Sequence, residues 1–353
     1  MYRLIVKNFG PLKDVDIELN KINLFIGENG SGKSVLGKLV TIVLDFESHM
    51  IDEKNLFKKF QEYYIDYVKN ETTIQFLVKN KPIFEIKNKQ ILSIGRISIN
   101  EHPIIQNEIK KGQNRIISDN KLTTYYIPAE RNLISLFNRY VTTFITADIP
   151  LPKFLLNFSS EYIRAREEIK ELKFLNVKYI NNGKDLIYYN EENYLDLEHS
   201  SSGIQSALPL YLTVKYFAQK HKSIIIEEPE QNLFPKAQSE TIKYIVEQVS
   251  DENSLFLMTH SPYVLSTLNI LMMAHKAGNL NEVSKSKVTE LYNEKQWINP
   301  DEFSAYYLEN GVARDIKGRT GLISDNEIDE SSDNIQGAFE ELLAIYREHK
   351  NVK

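Results

Sequence analysis

An α/β fold built on a mixed central sheet is the fold class this sequence predicts, and three observations predict it. Short β-patterned runs alternate with helix-patterned stretches along the chain. A glycine-rich turn stands between an apolar strand and a helix. Two later apolar runs, Ile224-Ile225-Ile226 and Phe256-Leu257-Met258, end abruptly in acidic residues and in a histidine. With 353 residues, 42% of them hydrophobic, the chain can bury a sizeable core. Its 43 Lys and Arg against 48 Asp and Glu leave a formal charge of -5, which excludes a globally basic binder and leaves only local contacts with nucleic acid or membrane. The absence of cysteine excludes a disulfide framework and a thiolate metal site. Met1–Val6 lacks the apolar run of a signal peptide, and no other run approaches a membrane span, so a cytoplasmic protein with no membrane contact is expected.

The elements follow in order. Arg3–Val6, Val15–Leu19 and Ile22–Ile26 read as strands, punctuated by Gly10-Pro11 and Asn20-Lys21. A helix is expected from Lys33 to about Phe46. Ile74–Val78, Ile83–Ile86 and Ile91–Ile94 predict a peripheral antiparallel subsheet with Lys- and Asn-rich turns. Between Pro152 and Lys178, Leu155, Leu156, Tyr162, Ile163, Ile169, Leu172 and Leu175 recur at helical spacing, with Arg164 and Glu168 set for an i,i+4 pair. A strand near Leu186–Asn190, a helix from Ser202 to about Lys220, strands at Ser223–Ile226 and Leu255–Met258, and intervening helices complete the pattern. One domain over 1–353 is expected: a lobe with the glycine-rich turn over 1–55, an antiparallel β subdomain over 56–120, a helical insertion over 121–180, a lobe over 181–300 and a C-terminal segment over 301–353.

Four motifs carry chemistry. Gly27-Glu28-Asn29-Gly30-Ser31-Gly32-Lys33-Ser34 matches G-x-x-x-x-G-K-[ST] between a strand and a helix, the context in which backbone N–H groups and a helix N-terminus, here continuing through Val35, cradle phosphates. Lys33 would reach the β- and γ-phosphates of ATP, and Ser34 would ligate Mg²⁺. Ile224-Ile225-Ile226-Glu227-Glu228-Pro229-Glu230 reads as a buried strand ending in acid, with Glu227 on the Mg²⁺ side and Glu228 placed to orient or deprotonate water. Ser200-Ser201-Ser202-Gly203 opens a helix 24 residues before Glu227, counted from Gly203. By itself this is an ordinary serine cap; at that spacing it is also a candidate anion site. Thr259-His260-Ser261-Pro262 puts His260 at the end of a strand, with Ser261 as cap and Pro262 at the first helical position.

In this order, P-loop, SSG, EEPE and THSP resemble the ABC-type ATPases of the RecF, SMC and OLD (overcoming lysogenization defect) group. They are most like the bacterial single-domain "AAA family ATPase" proteins found beside OLD enzymes, many of them in anti-phage defence loci. Val6–Lys13, Tyr126-Ile127-Pro128-Ala129-Glu130-Arg131 and Phe303–Leu308 look like that group as well. The resemblance implies a P-loop NTPase fold of the ABC type with a short helical insertion. It also implies a homodimer or higher even oligomer, in which Ser201, Ser202 and Gly203 of one subunit meet the γ-phosphate held by the other, with His260 as a switch on that phosphate. Arg131 is either a nucleotide-side or intersubunit arginine or a surface ion pair with Glu130 or a neighbour. Glu227 stands where many ABC proteins have Asp. Gln231-Asn232-Leu233-Phe234-Pro235 lacks the Ser and Asp of a typical D-loop, and Gln75 and Gln106 are both open as the Q-loop glutamine.

Several functions compete on these motifs. A transporter subunit is disfavoured, because 170 residues separate Lys33 from Gly203 and no coupling region is recognisable. A repair or chromosome ATPase binding DNA needs a basic face, for which Lys110, Lys111, Arg115, Arg164, Arg166, Lys170 and Lys173 are candidates, although scattered lysines also suit a solvated surface. A nuclease needs a metal-binding TOPRIM domain, and Asp325, Glu327, Asp329 and Glu330 lie in a polar stretch without β-α alternation. The favoured expectation is a sensor or regulatory ATPase of an anti-phage system, acting with a separately encoded nuclease or toxin. A nucleotide-dependent scaffold with little hydrolysis is the alternative that Glu228 argues against.

Overall fold

Alternation of buried and exposed side chains carries β1 (Tyr2–Phe9) and β2 (Leu12–Leu19) into an antiparallel hairpin with Leu4, Val6, Val15 and Ile17 turned to the core. The structure, a computed structural model, describes residues 2–48, 53–94, 124–137, 151–218, 223–249, 253–324 and 341–342. β3 (Ile22–Ile26) is buried along its whole length, as a central parallel strand must be. After it come α1 (Lys33–Ser48), α2 (Glu53–Glu62), β4 (Thr73–Val78), β5 (Lys81–Lys87), β6 (Gln90–Ile94) and β7 (Thr124–Ile127). A single 3₁₀ turn at Ala129–Arg131 leads into α3 (Asn132–Phe137) and α4 (Lys153–Glu168), and then into β8 (Glu171–Phe174), β9 (Val177–Asn181), β10 (Asp185–Tyr188) and β11 (Tyr194–Asp196). The remainder is α5 (Ser202–Ala218), β12 (Ser223–Glu227), α6 (Pro235–Gln248), β13 (Ser254–Thr259), α7 (Pro262–Gly278), α8 (Glu282–Leu291), β14 (Phe303–Glu309) and β15 (Val312–Asp315). Among the described residues no helix is long and apolar enough to cross a membrane.

The large sheet has eleven strands in the order β6-β5-β4-β1-β2-β15-β14-β3-β13-β12-β7. Its functional half is the parallel run β14-β3-β13-β12-β7; the expected antiparallel subsheet, β4 to β6, extends the other edge through β1. α1 packs beneath β13, β12 and β7.

The helix expected over 152–178 is shorter than its apolar spacing suggested. α4 stops at Glu168, Ile169 is already extended, and Leu172 belongs to β8 of a separate four-stranded antiparallel sheet, β11-β10-β9-β8. Leu175 and Asn176, with φ of 43° and 63°, form the two-residue turn between β8 and β9, a conformation that ends any helical continuation. Arg164 pairs with Glu161 at 2.8 Å.

Asp185 ties this sheet to α4. It accepts from Arg166 Nε and from the Tyr179 hydroxyl, each at 2.8 Å, and its side chain is 7% exposed. Arg166 is thereby withdrawn from the candidate basic face; Lys170 and Lys173 are exposed, and Lys110, Lys111 and Arg115 lie outside the described residues, as do the acidic candidates at 325–330. Breaking a buried ion pair from one side leaves the other charge uncompensated, so Asp185→Ala is expected to cost about 3 kcal/mol of stability in a urea titration. A loss under about 1 kcal/mol would show that solvent already compensates Arg166.

Candidate functional site

Parallel register brings the predicted motifs to one edge. Thr259 pairs with Ile26, Glu227 with Met258, and Ile226 with Ile127, so the chain leaves β3 and β13 level, as Gly27 and His260, and leaves β12 and then β7 one residue earlier at each step, as Glu228 and Pro128. Gly27 is pressed against the neighbouring strand: a Cβ there would lie 2.3 Å from the Leu308 carbonyl oxygen. Asn29 and Gly30 are exposed, Ser31 and Val35 half-buried, Gly32 buried and Ser34 exposed at the start of α1. Lys33 is folded back over its own loop, donating to the carbonyls of Gly27 at 2.6 Å and Glu28 at 2.8 Å. Burial lowers its pKa, against the opposing pull of Glu228, Glu230, Glu227 and Glu28.

Glu227 is 4% exposed and its Oε1 has no hydrogen-bond partner. Burial pushes this carboxyl above the usual carboxylate range, while Tyr126, Lys38 and Ser34 act in the opposite sense. The Tyr126 hydroxyl, beside it on β7, is also unpartnered, and burial drives its pKa well up. Glu228 is more open and has φ 44°, a left-handed turn unusual for a residue with a side chain. Its amide donates to the Met258 carbonyl at 2.8 Å. His260 is half exposed, its Nδ1 3.6 Å from Glu228 Oε1 and 3.5 Å from Glu230 Oε1.

Glu230 is the residue the motif reading left without a role. Its buried carboxylate accepts from Thr259 Oγ1 at 2.6 Å and from the His260 amide at 3.1 Å, so it anchors the turn that presents the imidazole. Its sequence signal was present, the last letter of EEPE, but nothing local says that it reaches across to β13.

Ser201 and Ser202 are exposed at the start of α5, where Ser201 Oγ accepts a long hydrogen bond from the Ile204 amide. Gly203 sits against the loop that follows Glu228, a Cβ there lying 2.9 Å from the Asn232 carbonyl oxygen. Ser206 Oγ donates to Gln231 Oε1 of the same loop at 3.1 Å. Gln75 is occupied far off on β4, donating to Glu85 at 2.8 Å, and Gln106 lies outside the described residues.

Arg131 requires a correction. It is neither a surface ion pair nor free to face a nucleotide: at 1% exposure it donates to the main-chain carbonyls of Ser206, Pro128, Glu227 and Glu228. Burial lowers its pKa to about 10, which leaves it cationic at neutral pH.

The residues present fit a nucleotide phosphate with a divalent cation. Among the described residues five buried side-chain polar atoms lack a partner, and four of them, on Ser31, Tyr126, Glu227 and Glu230, belong to this layer. Buried polar atoms are ordinarily satisfied, so their concentration here marks a place shaped for polar ligands.

The model of the AAA ATPase domain family matches residues 50–265, a stretch that starts after the glycine-rich loop and takes in Arg131, α5, Glu227, Glu228 and His260. The uncharacterized protein MJ1542 of Methanocaldococcus jannaschii is 28% identical over 90 residues, which are 26% of this chain and only 11% of that protein. Similar solved structures include a Smc head domain with an extended coiled coil, bound to the C-terminal domain of ScpA, from Pyrococcus furiosus (TM-score 0.39, 11% identity, 95% of this chain and 100% of that one). Others are the SMC head domain from Thermotoga maritima (0.36, 11%, 89% and 97%) and the ADP conformation of MJ1267, an ATP-binding cassette of an ABC transporter (0.37, 15%, 94% and 97%).

The raised Glu227 pKa has a sign that can be measured. Between its unfolded value, about 4.3, and its folded value the native state binds the extra proton, so stability falls as pH rises through that window. Glu227→Gln removes the slope. In cation-free solution the thermal midpoint of the variant is therefore expected to gain on wild type as pH is raised from about 4 toward neutrality; parallel curves would mean that the buried carboxylate costs nothing.

Proposed function

The chain belongs to the AAA ATPase domain family, and from that premise we propose that it is a P-loop ATPase of the ABC and SMC type that hydrolyses ATP as a homodimer with nucleotide held between the two copies. Backbone N–H groups at the start of α1 receive the β- and γ-phosphates, and Lys33 exchanges the carbonyls of Gly27 and Glu28 for phosphate oxygens. Ser34 and Glu227, the latter through water, are the residues that would hold Mg²⁺, which when bound neutralises charge on those oxygens. Glu228 takes the proton from a water whose oxygen forms the new bond to the γ-phosphorus as the bond to the bridging oxygen breaks, giving ADP and phosphate. His260, oriented by Glu230, donates a hydrogen bond toward the γ-phosphate.

The observation that carries the dimer is the state of the α5 N-terminus. Ser201 and Ser202 are exposed, and among the described residues no hydrogen bond joins Ser201, Ser202 or Gly203 to the Gly27–Ser34 loop of the same chain. Those amides and hydroxyls are thus available to phosphate bound by a second copy. Phe234, 78% exposed on the neighbouring loop, suits the same contact. In the finer reading this ATPase is the regulatory subunit of an anti-phage system, its cycle changing its grip on a separate nuclease or toxin. What supports that is the motif resemblance to the OLD-related group, and ATP-dependent co-purification with the product of an adjacent gene tests it. Binding of duplex DNA instead, weakening steeply with salt, would favour the repair reading.

Phosphate release and solution mass, with and without Mg-ATP, test the core proposal. Wild type is expected to turn over, Lys33→Ala to lose ATP binding, and Glu228→Gln to lose about 100-fold or more in turnover while ATP holds it as a dimer. A Glu228→Gln protein that stays monomeric with ATP bound would remove the dimer from the mechanism.

A further inference from the structure

The guanidinium of Arg131 makes its hydrogen bonds to carbonyls on three separate segments. Nε donates to Ser206 O at 3.1 Å on α5; one terminal nitrogen donates to Pro128 O at 3.1 Å and Glu227 O at 2.8 Å; the other donates to Glu228 O at 2.6 Å. The positive φ of Glu228 accompanies that last bond, with its carbonyl directed to the arginine while its amide stays on Met258.

A second tie lies beside the first. Pro209, inside α5, has no N–H to give the carbonyl of Gln205 one turn earlier, and Ser135 Oγ on α3 donates to that carbonyl instead, at 2.6 Å. Residues 128–135 are therefore fastened to α5 at two consecutive carbonyls, 205 and 206. Ser206 reaches on, through its hydroxyl, to Gln231 beyond Glu228. A planar fork with five donors is the side chain that can bridge such a set; a lysine, a point charge with three, cannot reproduce it.

We propose that Arg131 is a positioning residue for hydrolysis: it fixes the main chain of Glu227 and Glu228 against α5, keeping the Glu228 carboxylate beside His260 and carrying any displacement of the α5 N-terminus to that carboxylate. This rests on the hydrolytic reading of Glu228. Arg131 touches no substrate, so its removal is felt in kcat and not in nucleotide affinity. A nucleotide-contacting arginine would raise KM, and a clamp that served stability alone would leave kcat of the folded fraction intact.

The test uses the full chain as wild type, Arg131→Lys, Arg131→Gln and Ser135→Ala. Steady-state kinetics with Mg-ATP are read beside thermal denaturation and amide hydrogen exchange without nucleotide. Arg131→Lys is expected to lower kcat about tenfold with KM within about threefold, Arg131→Gln to lower it further, and Ser135→Ala to lower it by a smaller factor. Exchange should rise together in 202–206 and 228–233, with α1 unchanged. Folded Arg131 variants with kcat within about twofold of wild type, or a KM that rises as far as kcat falls, overturn the proposal. Should Arg131→Gln not fold, Arg131→Lys and Ser135→Ala decide by the same criteria. If wild type itself releases no phosphate, the hydrolytic reading fails, and exchange alone decides the coupling: a joint rise upholds it, a rise in one segment only overturns it.

Discussion

Everything at the site depends on the register of four parallel strands. Because β3, β13, β12 and β7 run the same way and end within two residues of one another, four chemically different loops open at one edge, and the N-terminus of α1 opens there too. Side chains alternate across a strand, so a slip of one residue in β12 would carry Glu227 to the opposite face and exchange its place with Ile226. The apolar runs of these strands are buried almost throughout, which is what makes the slip costly and the register definite.

That arrangement concentrates charge in a poorly solvated layer. Glu227 and Glu230 are almost fully buried, Glu228 stands at their margin, and Lys33, Lys38 and Arg131 lie within their field. Lys33 and Arg131 serve differently. Arg131 is committed to main-chain carbonyls, so it offsets the acidic field without pairing with any one carboxylate, and the carboxylates keep oxygens to offer elsewhere. Lys33 rests on loop carbonyls that a phosphate can replace. The unpartnered oxygen of Glu227 and the retracted lysine describe one condition, a site whose polar groups are better satisfied with a charged ligand than without it.

How much of this could be read in the sequence follows from how local each signal is. The phosphate loop was legible because strand, glycines, lysine and helix are contiguous, and Ser261 with Pro262 announced the start of α7 for the same reason. Arg131 was not legible: its partners are carbonyls, which every residue carries, so no spacing of side chains records them. The 152–178 segment misled because Leu172 and Leu175 happen to continue a helical period through what is a hairpin, although the helix has already ended at Glu168. The four-stranded sheet went largely unread, since its strands are three to five residues long, too short for period-two alternation to stand out.

The loop after Glu228 shows how main-chain contacts can replace a missing side-chain motif. Gln231–Pro235 has neither the Ser nor the Asp of a typical D-loop, so its link to α5 cannot run through those side chains. In the fold the link is steric. Gly203 lets α5 approach the Asn232 carbonyl more closely than any Cβ would allow, and Asn232 meets it in a left-handed conformation, φ 60°. Ser206 and Gln231 close the contact one turn further along α5. Such packing resists displacement more stiffly than a pair of solvated charges, because it yields only when backbone moves. A push on the α5 N-terminus therefore reaches the Glu228 loop from two sides, through Asn232 and through Arg131, without any charged side chain in Gln231–Pro235.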